Sequence, residues 1–226
     1  DYMITFADVG KVYPCGQCSA LQNISFTIDK GEVVFLTGHS GAGKSTVLRI
    51  ISGLEKATAG RVYFEKQDVT SISRSELPFY RRHIGMIFQD HKLMMNRTVA
   101  ENVALPLLIR EHSMAYALPL VEQALSRVGI LSKINAYPQY LSAGEQQRVG
   151  IARAMIGKPD VLLADEPTGN LDRALSIEIL ELFLALNREE GMTVVMATHD
   201  LELVSLANRR CLELQNGRLV LDTKGQ

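Results

Sequence analysis

A glycine-rich segment between a buried strand and a helix constrains the fold more than any other feature of this 226-residue sequence. It follows an apolar run at residues 33–36, precedes a helical pattern that reaches Ile51, and reads Gly38-His39-Ser40-Gly41-Ala42-Gly43-Lys44-Ser45-Thr46. This pattern, G-x-x-x-x-G-K-S, lets backbone N–H groups and a helix N-terminus converge on an anion. Lys44 would reach the β and γ phosphates of a nucleotide, and the Ser45 hydroxyl would ligate Mg²⁺. The phosphate loop (residues 38–46) therefore predicts a nucleotide-binding α/β fold.

The rest of the hydrophobic pattern is consistent with that fold. Residues 161–164 and 193–197 are apolar on both faces, as buried parallel strands are, whereas residues 24–29 alternate as a half-exposed antiparallel strand does. An apolar stripe of Leu175, Ile179, Leu182 and Leu186 predicts a helix. Strand signals stop between about residues 89 and 140, and this stretch predicts an inserted helical subdomain.

Composition excludes several functional classes. Lys and Arg total 24 and Asp and Glu total 25, and a net charge of −1 argues against a nucleic-acid partner and against a polybasic membrane anchor. Three cysteines are too few for a disulfide framework, which favours a cytoplasmic chain with reduced thiols. We see no secretion signal and no apolar run of the roughly 18 residues that a membrane span needs.

An acidic pair follows the second buried strand. Asp165 and Glu166 stand at its carboxyl end, where α/β sheets place their ligands. Asp165 suits a Mg²⁺ ligand, and Glu166 suits a general base that polarises water for attack on a γ-phosphate. The alternative for Asp165 is a cap of the turn before Pro167.

A second glycine-bearing helix start lies at Ser142-Ala143-Gly144-Glu145. Ser142 and Glu145 have the S-x-x-E spacing of a capping box, which alone would explain both residues. The alternative is a second anion site at a helix N-terminus, facing a phosphate from the side opposite the phosphate loop.

These motifs occur in the order found in ATP-binding-cassette (ABC) ATPases. The resemblance covers nearly the whole chain and rests on the phosphate loop, Gln89, residues 141–145, 161–166 and 169–172, and His199. The segments FLTGHSGAGKST, IGMIFQDHKLM, RTVAENVALPL, LLADEPTGNLD and MATHD resemble the FtsE-type family of bacterial cell-division ATPases. The resemblance implies a P-loop RecA-like core (residues 1–88 and 141–226) with an antiparallel β subdomain and an α-helical subdomain inserted at about 89–140.

The resemblance also implies roles for single residues. Tyr13 would stack on adenine, although a strand tyrosine packed on its sheet is the alternative. Gln89 would sense Mg²⁺ and the attacking water, and His199 would contact the γ-phosphate. Residues 169–172 would cross to a second subunit. Lys44, Gln89, Glu166 and His199 are thus the expected catalytic residues, with Ser45, Gln89 and Asp165 around the Mg²⁺.

The assembly that the resemblance implies is a head-to-tail homodimer in the ATP-bound state. Ser142, Ala143, Gly144 and Glu145 of one protomer would cover the ATP held by Lys44 of the other. An FtsX-like integral membrane protein would bind the dimer at the cytoplasmic face of the bacterial inner membrane and link it indirectly to an extracytoplasmic cell-wall hydrolase. Leu93, Met94 and Met95 are either candidates for that contact or part of the subdomain core.

Other functions stay open on the residues alone. The ATPase of a lipoprotein-release or related transporter is the main alternative. Three further classes fit the motifs less well: a soluble ABC protein acting on nucleic acid or the ribosome, a P-loop kinase, and a nucleotide-binding scaffold without turnover. A kinase would leave residues 142–145 without a role, and a scaffold would need neither Glu166 nor His199.

Three details depart from the pattern or stand outside it. Ala143 replaces the first glycine of the family's L-S-G-G segment, and its Cβ would be strained if the backbone there needs φ > 0. Cys15-Gly16-Gln17-Cys18 resembles half a zinc site, with reduced loop thiols as the alternative. The basic run Arg81-Arg82-His83 predicts a solvated face.

Overall fold

The structure, a computed structural model, describes residues 1–15 and 18–224 and contains ten strands and seven α-helices in these ranges. In chain order they are β1 (Tyr2–Tyr13), β2 (Cys18–Asp29), β3 (Val33–Thr37), α1 (Lys44–Ile51), β4 (Ala59–Phe64), β5 (Gln67–Asp68), α2 (Leu77–Arg81), β6 (Ile84–Ile87), α3 (Val99–Ile109), α4 (Met114–Arg127), α5 (Ala143–Met155), β7 (Val161–Asp165), α6 (Arg173–Glu190), β8 (Thr193–Ala197), α7 (Leu201–Ala207), β9 (Arg210–Gln215) and β10 (Arg218–Asp222). Two 3₁₀ turns, Leu131–Lys133 and Pro138–Tyr140, join α4 to α5.

The strands form two sheets. The first is antiparallel, in the order β2-β1-β4-β5. The second has the order β10-β9-β3-β8-β7-β6 and is parallel except for its edge strand β10. The three buried parallel strands and the half-exposed strand β2 predicted from the sequence are confirmed. Because β3, β7 and β8 are adjacent, the loops that follow them open at the same edge of the sheet.

Two hydrophobic clusters cover the two faces of the parallel sheet. One lies between that sheet, α1 and the antiparallel sheet, and includes Phe6, Leu36 and Leu48. The other lies under α3 to α6 and includes Phe35 and Phe183. The parallel sheet is therefore buried on both sides, which explains why its strands are continuously apolar in sequence. No helix in the described ranges has the length and apolar character needed to cross a membrane.

The helices agree with the apolar periodicity, with one correction. α3 begins at Val99 with a capping box between Thr98 and Glu101, and α6 spans the predicted stripe. The buried face of α6, however, consists of Ser176, Ile179, Leu180, Phe183 and Leu186. Leu175 and Leu182 are only partly buried. The buried face of α6 is therefore turned from the predicted stripe by part of a helical turn. Asn216 (φ 49°) and Gly217 (φ 78°) have the two positive φ angles of a type I′ turn between β9 and β10.

A buried arginine fixes the last strand to the rest of the sheet. Arg210 donates to both carboxylate oxygens of Asp222 (2.9 and 2.8 Å), to the Glu32 carboxylate (2.9 Å) and to the carbonyl of Thr27 (2.7 Å). The hydrogen bonds from Arg210 lower the pKa of the Asp222 carboxyl. The pair of Arg210 and Asp222 therefore connects β10 to β9, and the hydrogen bond from Arg210 to Thr27 connects them to the end of β2.

Replacing Asp222 with Asn is expected to reduce the free energy of unfolding by about 2 kcal/mol at pH 7, because charged hydrogen bonds to Arg210 are lost. A lowered carboxyl pKa stabilises the fold above the unfolded value of about 3.9, and that stability is lost as the pH falls through the folded value. Urea unfolding at pH 7 and below pH 4 checks this. The difference between wild type and variant should shrink in acid; an equal difference at both pH values would contradict the role of the ion pair.

Candidate nucleotide-binding site

The phosphate loop has one glycine where it follows β3 and another where it precedes α1. No other residue could replace either glycine without rearrangement of the surrounding structure. Gly38 (φ 144°) lies so close to β9 that a Cβ would come within 2.3 Å of the Leu214 carbonyl oxygen. Gly43 (φ 113°) precedes α1, and a Cβ there would come within 2.7 Å of the Leu21 side chain. Gly43 has no side chain to cap α1, and the first turn of α1 contains no acidic residue. The N–H groups at this helix start are thus available to an anion.

This loop forms one wall of an open cleft of about 1300 Å³. The loops after β6, β7 and β8 complete it, so residues far apart in sequence meet at one edge of the parallel sheet. The predicted residues that line the cleft are His39, Ser40, Gly41, Ala42, Gly43, Lys44, Ser45, Thr46, Gln89, Asp165, Glu166 and His199.

Glu166 lies at the centre of the polar groups. Its carboxylate is 3.6 Å from the Lys44 ammonium and 2.9 Å from Nδ1 of His199. Lys44 also donates to the carbonyl of Gly38 at 2.5 Å. The Glu166 and Lys44 side chains are largely buried, whereas the His199 side chain is 70% exposed. This arrangement places a carboxylate, a cation and an imidazole within reach of the same bound group.

Glu166 also has an unusual backbone. Its φ angle is 48°, in the left-handed region, directly after β7, and its N–H donates to the carbonyl of Ala197 at the end of β8. A non-glycine residue in this conformation costs free energy, and such residues cluster at active sites and ligand-binding loops. The turn aims the carboxylate across the sheet edge towards His199 and Lys44.

The hydroxyl of Ser45 and the carboxylate of Asp165 suit a small divalent cation. Ser45 Oγ donates to Asp165 at 3.0 Å, although the two residues are 120 positions apart. Burial raises the pKa of the Asp165 carboxyl, and a nearby cation would offset that desolvation. The described residues contain no group of three or more His, Cys, Asp or Glu side chains that could hold a metal ion by itself. Two hard oxygen ligands beside a phosphate loop fit Mg²⁺, which typically binds one or two protein oxygens together with substrate phosphates.

Gln89 and Tyr13 lie at the edges of the cleft. Gln89 follows β6, and its amide donates to the Asn170 side chain at 3.4 Å, in the loop after Glu166. The Tyr13 hydroxyl donates to the Glu55 carboxylate at 2.5 Å and lies 3.3 Å from the Thr46 hydroxyl. Burial and the Glu55 contact raise the pKa of Tyr13. Tyr13 therefore sits beside α1, next to the cleft but not among the residues that line it.

The signature segment (residues 142–145) does not reach this cleft in the same chain. Ser142 accepts from the Glu145 N–H at 3.2 Å and the Glu145 carboxylate accepts from the Ser142 N–H at 3.0 Å, so the capping box is confirmed. The N–H of Ser142 lowers the pKa of Glu145. Ser142 and Ala143 are exposed, while Gly144 is buried against Leu175. Ala143 is the first residue of α5 and does not have a positive φ, so the strain considered for its Cβ does not arise.

The cysteine motif contributes nothing to this geometry. Cys15 and Cys18 are exposed thiols without a disulfide partner. Gly16 and Gln17 lie outside the described residues, so the proposed half zinc site is described only at its two ends.

A buried contact that no sequence motif indicated positions the loop containing Gln89. Nδ1 of His91 lies 2.7 Å from the Gln147 side-chain oxygen, and Gln147 donates from its amide nitrogen to the Pro167 carbonyl at 2.6 Å. Because the amide nitrogen is the donor, Nδ1 of His91 must donate to the oxygen. Arg153 donates to the carbonyls of His91 and Lys92. These hydrogen bonds fix the loop after β6 to α5, the helix that begins in the signature segment. They also fix it to the loop after Glu166.

Two variants, His91→Asn and His91→Gln, test whether the Nδ1 contact of His91, rather than its general packing, positions the loop. His91 has φ 62°, which Asn tolerates well, and the Asn amide places a donor near the position of Nδ1. We expect the ATPase activity that the sequence motifs imply to stay close to wild type in His91→Asn. For His91→Gln we expect a loss of kcat of roughly tenfold, from the unpaired buried oxygen of Gln147, with ATP affinity unchanged. Equal kcat in the two variants, at equal melting temperature, would show that the Nδ1 contact does not position the loop.

Comparison with known proteins agrees with this geometry. A family model described as ABC transporter matches residues 21–169. The chain is 54% identical over 217 residues to the cell division ATP-binding protein FtsE of Escherichia coli strain K12, covering 96% of this chain and 97% of that protein. It is 49% identical to the FtsE of Haemophilus influenzae strain Rd, covering 96% and 99%. These matches confirm the resemblance drawn from the motifs.

Solved structures show the same fold. The dimeric post-hydrolysis structure of the ATP-binding cassette MJ0796, bound to ADP and Pi, superposes with a TM-score of 0.89 at 36% identity and covers 97% of both chains. The predicted fold class, a P-loop core with an antiparallel sheet and added helices, is therefore confirmed.

Proposed function

Because this chain belongs to the ABC transporter family and is an ABC-type ATPase, we propose that it is the ATP-hydrolysing subunit of an FtsE-like membrane complex in bacterial cell division. The observation that carries the proposal is the similarity over nearly the full length to two proteins named for cell division, at 54% and 49% identity. The roles of single residues, the dimer and the membrane partner are parts of the same proposal.

The cleft geometry supports a hydrolytic role for Glu166. Lys44 and the N–H groups of the phosphate loop bind the β and γ phosphates, and this draws the Lys44 ammonium away from Glu166, 3.6 Å from it in the structure. Glu166 is then free to accept a hydrogen bond from the attacking water. His199, 2.9 Å from the same carboxylate, keeps Glu166 oriented and reaches the γ-phosphate. Gln89 holds the water from the opposite side.

Ser45, Asp165 and Gln89 would hold Mg²⁺. When bound, the cation neutralises charge on the β and γ phosphates. Ser45 and Asp165 already share a hydrogen bond, so a small rearrangement of two side chains suffices to present two oxygens. Tyr13, from its place beside Thr46, would turn its ring onto the adenine.

The exposed signature segment supports a head-to-tail dimer. Within one chain, Ser142 and Ala143 at the start of α5 lie outside the cleft that contains Lys44. A second protomer that places its signature segment over the first protomer's phosphate loop would supply the missing wall, and two-fold symmetry would make two such sites. The related cassette MJ0796 is described as a dimer. In this assembly the residues around Asn170, beside Gln89, face the partner.

The membrane partner we propose is an FtsX-like integral membrane protein, bound at the cytoplasmic face of the inner membrane and linked indirectly to a cell-wall hydrolase. The stretch at about 89–140, which we propose is an inserted helical subdomain, would carry part of the contact. Met95 is 50% exposed there, whereas Leu93 packs against the core. Of the three apolar candidates, Met95 is therefore the best placed for a partner.

Affinity purification from native membranes, combined with depletion in the same cells, tests the proposal. We expect a membrane-spanning protein to be recovered with the tagged chain, and depletion of the chain to give long, undivided cells. Recovery of a membrane protein together with normal cell length would indicate a transport ATPase instead. Recovery of no membrane protein would contradict the proposed complex.

A further inference from the structure

Two carbonyl groups of the phosphate loop are held in fixed directions by hydrogen-bond donors. The Ser40 carbonyl lies 2.8 Å from Nδ1 of the His39 ring, and the Ala42 carbonyl accepts from the Gly217 N–H at 2.9 Å. Gly217 belongs to the turn between β9 and β10 and does not line the cleft. A loop that binds phosphates depends on such donors, because a carbonyl oxygen that faced the cleft would repel an anion.

The contacts of the His39 ring define its tautomer. A carbonyl oxygen can only accept, so Nδ1 must donate to Ser40. Nε2 lies 3.3 Å from the backbone nitrogen of Asn216, whose N–H is a donor, so Nε2 must accept. The two contacts together place the ring proton on Nδ1. The Asn216 N–H thus keeps the ring in the form that can hold the Ser40 carbonyl, although Asn216 is 177 positions from His39.

The turn between β9 and β10 is itself fixed against β2. The Gly217 carbonyl accepts from the Gln22 N–H at 2.8 Å, and Arg218 donates to the Gln22 side chain at 2.6 Å. A Cβ on Gly217 would lie only 2.5 Å from the Ala20 carbonyl oxygen. The turn therefore fills the space between β2 and the phosphate loop, and it gives the His39 ring a rigid support.

The direction of each carbonyl decides where the next N–H points. In a trans peptide the C=O and the following N–H point in opposite directions, and the described residues contain no cis peptide bond. The contact of Ser40 with His39 therefore directs the Gly41 N–H away from the ring. The bond from Gly217 likewise directs the Gly43 N–H away from the turn. Gly41 and Gly43 both line the cleft, where a phosphate would meet these N–H groups.

Only one of these two peptides needs a side chain to keep its direction. A Cβ on Gly43 would come within 2.7 Å of Leu21, so the peptide before Gly43 is confined by its neighbours. Around Gly41 the described residues leave open space, with nothing within 4 Å of a Cβ. Glycine adopts positive and negative φ with similar ease. The Ser40–Gly41 peptide could therefore rotate, and the donor on His39 is what holds it.

We propose that His39 is a positioning residue for ATP binding. Its Nδ1–H, supported by the turn between β9 and β10, fixes the Ser40–Gly41 peptide with the N–H towards the phosphates. The inference rests on the proposed function for the place of the nucleotide at this loop, and it adds what keeps the loop ready to bind. Without the donor, this peptide would have to be ordered when ATP binds, at a cost in affinity.

The pair His39→Gln and His39→Asn tests the Nδ1 donor. Gln places its amide near the position of Nε2 and has no donor near that of Nδ1, whereas the shorter Asn places a donor near Nδ1. We expect His39→Gln to raise the dissociation constant for ATP ~tenfold, with a smaller change in kcat. His39→Asn should restore most of the affinity. Binding is measured at equilibrium with EDTA, which prevents turnover, and kcat is measured with Mg²⁺.

The control is the same substitution at an exposed histidine away from the cleft. His112 lies between α3 and α4 and stacks on Tyr116, and His112→Gln should bind ATP as wild type does. An ATP affinity of His39→Gln equal to that of wild type, or an equal loss in His39→Gln and His39→Asn, would overturn the inference. Wild type that binds no ATP would instead contradict the proposed function, and the inference with it.

Nuclear magnetic resonance of wild type covers the case in which His39→Gln also loses stability. Long-range ¹H–¹⁵N spectra of the histidine-labelled chain show which ring nitrogen carries the proton, and the spectrum of His39→Asn identifies the His39 signals. We expect the proton of the neutral His39 ring on Nδ1. A proton on Nε2 would overturn the inference, because Nε2–H would face the Asn216 N–H and Nδ1 would have no proton to donate to Ser40.

Discussion

Glu166→Gln is expected to lower kcat for ATP hydrolysis by about 10²–10⁴-fold, the range of a general base, while ATP affinity changes little. Gln keeps the size of the side chain and its hydrogen bond to His199, but it cannot accept a proton from water. The phosphate loop that binds ATP is untouched. Phosphate release and equilibrium ATP binding, measured on the same preparation, give the two quantities.

The control for this prediction is another carboxylate of the same chain. Glu178 pairs with Arg148 on the exposed face of α6, and Glu178→Gln removes an equal charge away from the cleft. It should hydrolyse ATP at the wild-type rate. Turnover of Glu166→Gln within a few fold of wild type would remove Glu166 from the chemical step, and loss of ATP affinity in it would assign Glu166 to binding instead.

Ser142→Asp is expected to abolish ATP-driven dimerisation and to lower turnover at least ~10²-fold, the loss found when a donor to a transition-state oxygen is removed. Asp caps a helix as well as Ser does, so α5 should be as stable as before. The new carboxylate, however, would face the γ-phosphate of the ATP bound by the other protomer. Binding of ATP to the single chain should not change, because Ser142 lies outside the cleft of its own chain.

Ser142→Asn is the matched variant for the same position. Asn also caps α5 but carries no charge, so its turnover should lie well above that of Ser142→Asp. Gel filtration with ATP and a phosphate-release assay distinguish the two. Equal turnover in both variants, or dimerisation of Ser142→Asp with ATP as in wild type, would mean that the signature segment does not face a nucleotide.

The fold and the residues that line the cleft were largely predictable from sequence. The parallel strands β3, β7 and β8 are apolar on both faces because helices or a second sheet cover them. Their order in the sheet brings together Lys44, Glu166 and His199, which are separated by more than 30 residues at each step. Local patterns predict each strand end, and the parallel sheet then dictates that the ends meet.

What the sequence did not predict depends on backbone geometry and on contacts between loops. The left-handed conformation of Glu166 and the contact of His91 with Gln147 have no local sequence signal, since both arise from the packing of β7 and α5 on neighbouring loops. Ala143 is the opposite case. Its replacement of the family's glycine suggested backbone strain, but the residue lies at an ordinary helical position.

The central proposal is that two chains enclose the nucleotide and that each supplies part of both sites. Small-angle X-ray scattering of Glu166→Gln with ATP and Mg²⁺ tests it most directly, since that variant should retain bound ATP. We expect the scattering mass of two chains with ATP, and that of one chain after Ser142→Asp is added to the same variant. Single chains in both samples, at saturating ATP, would contradict it.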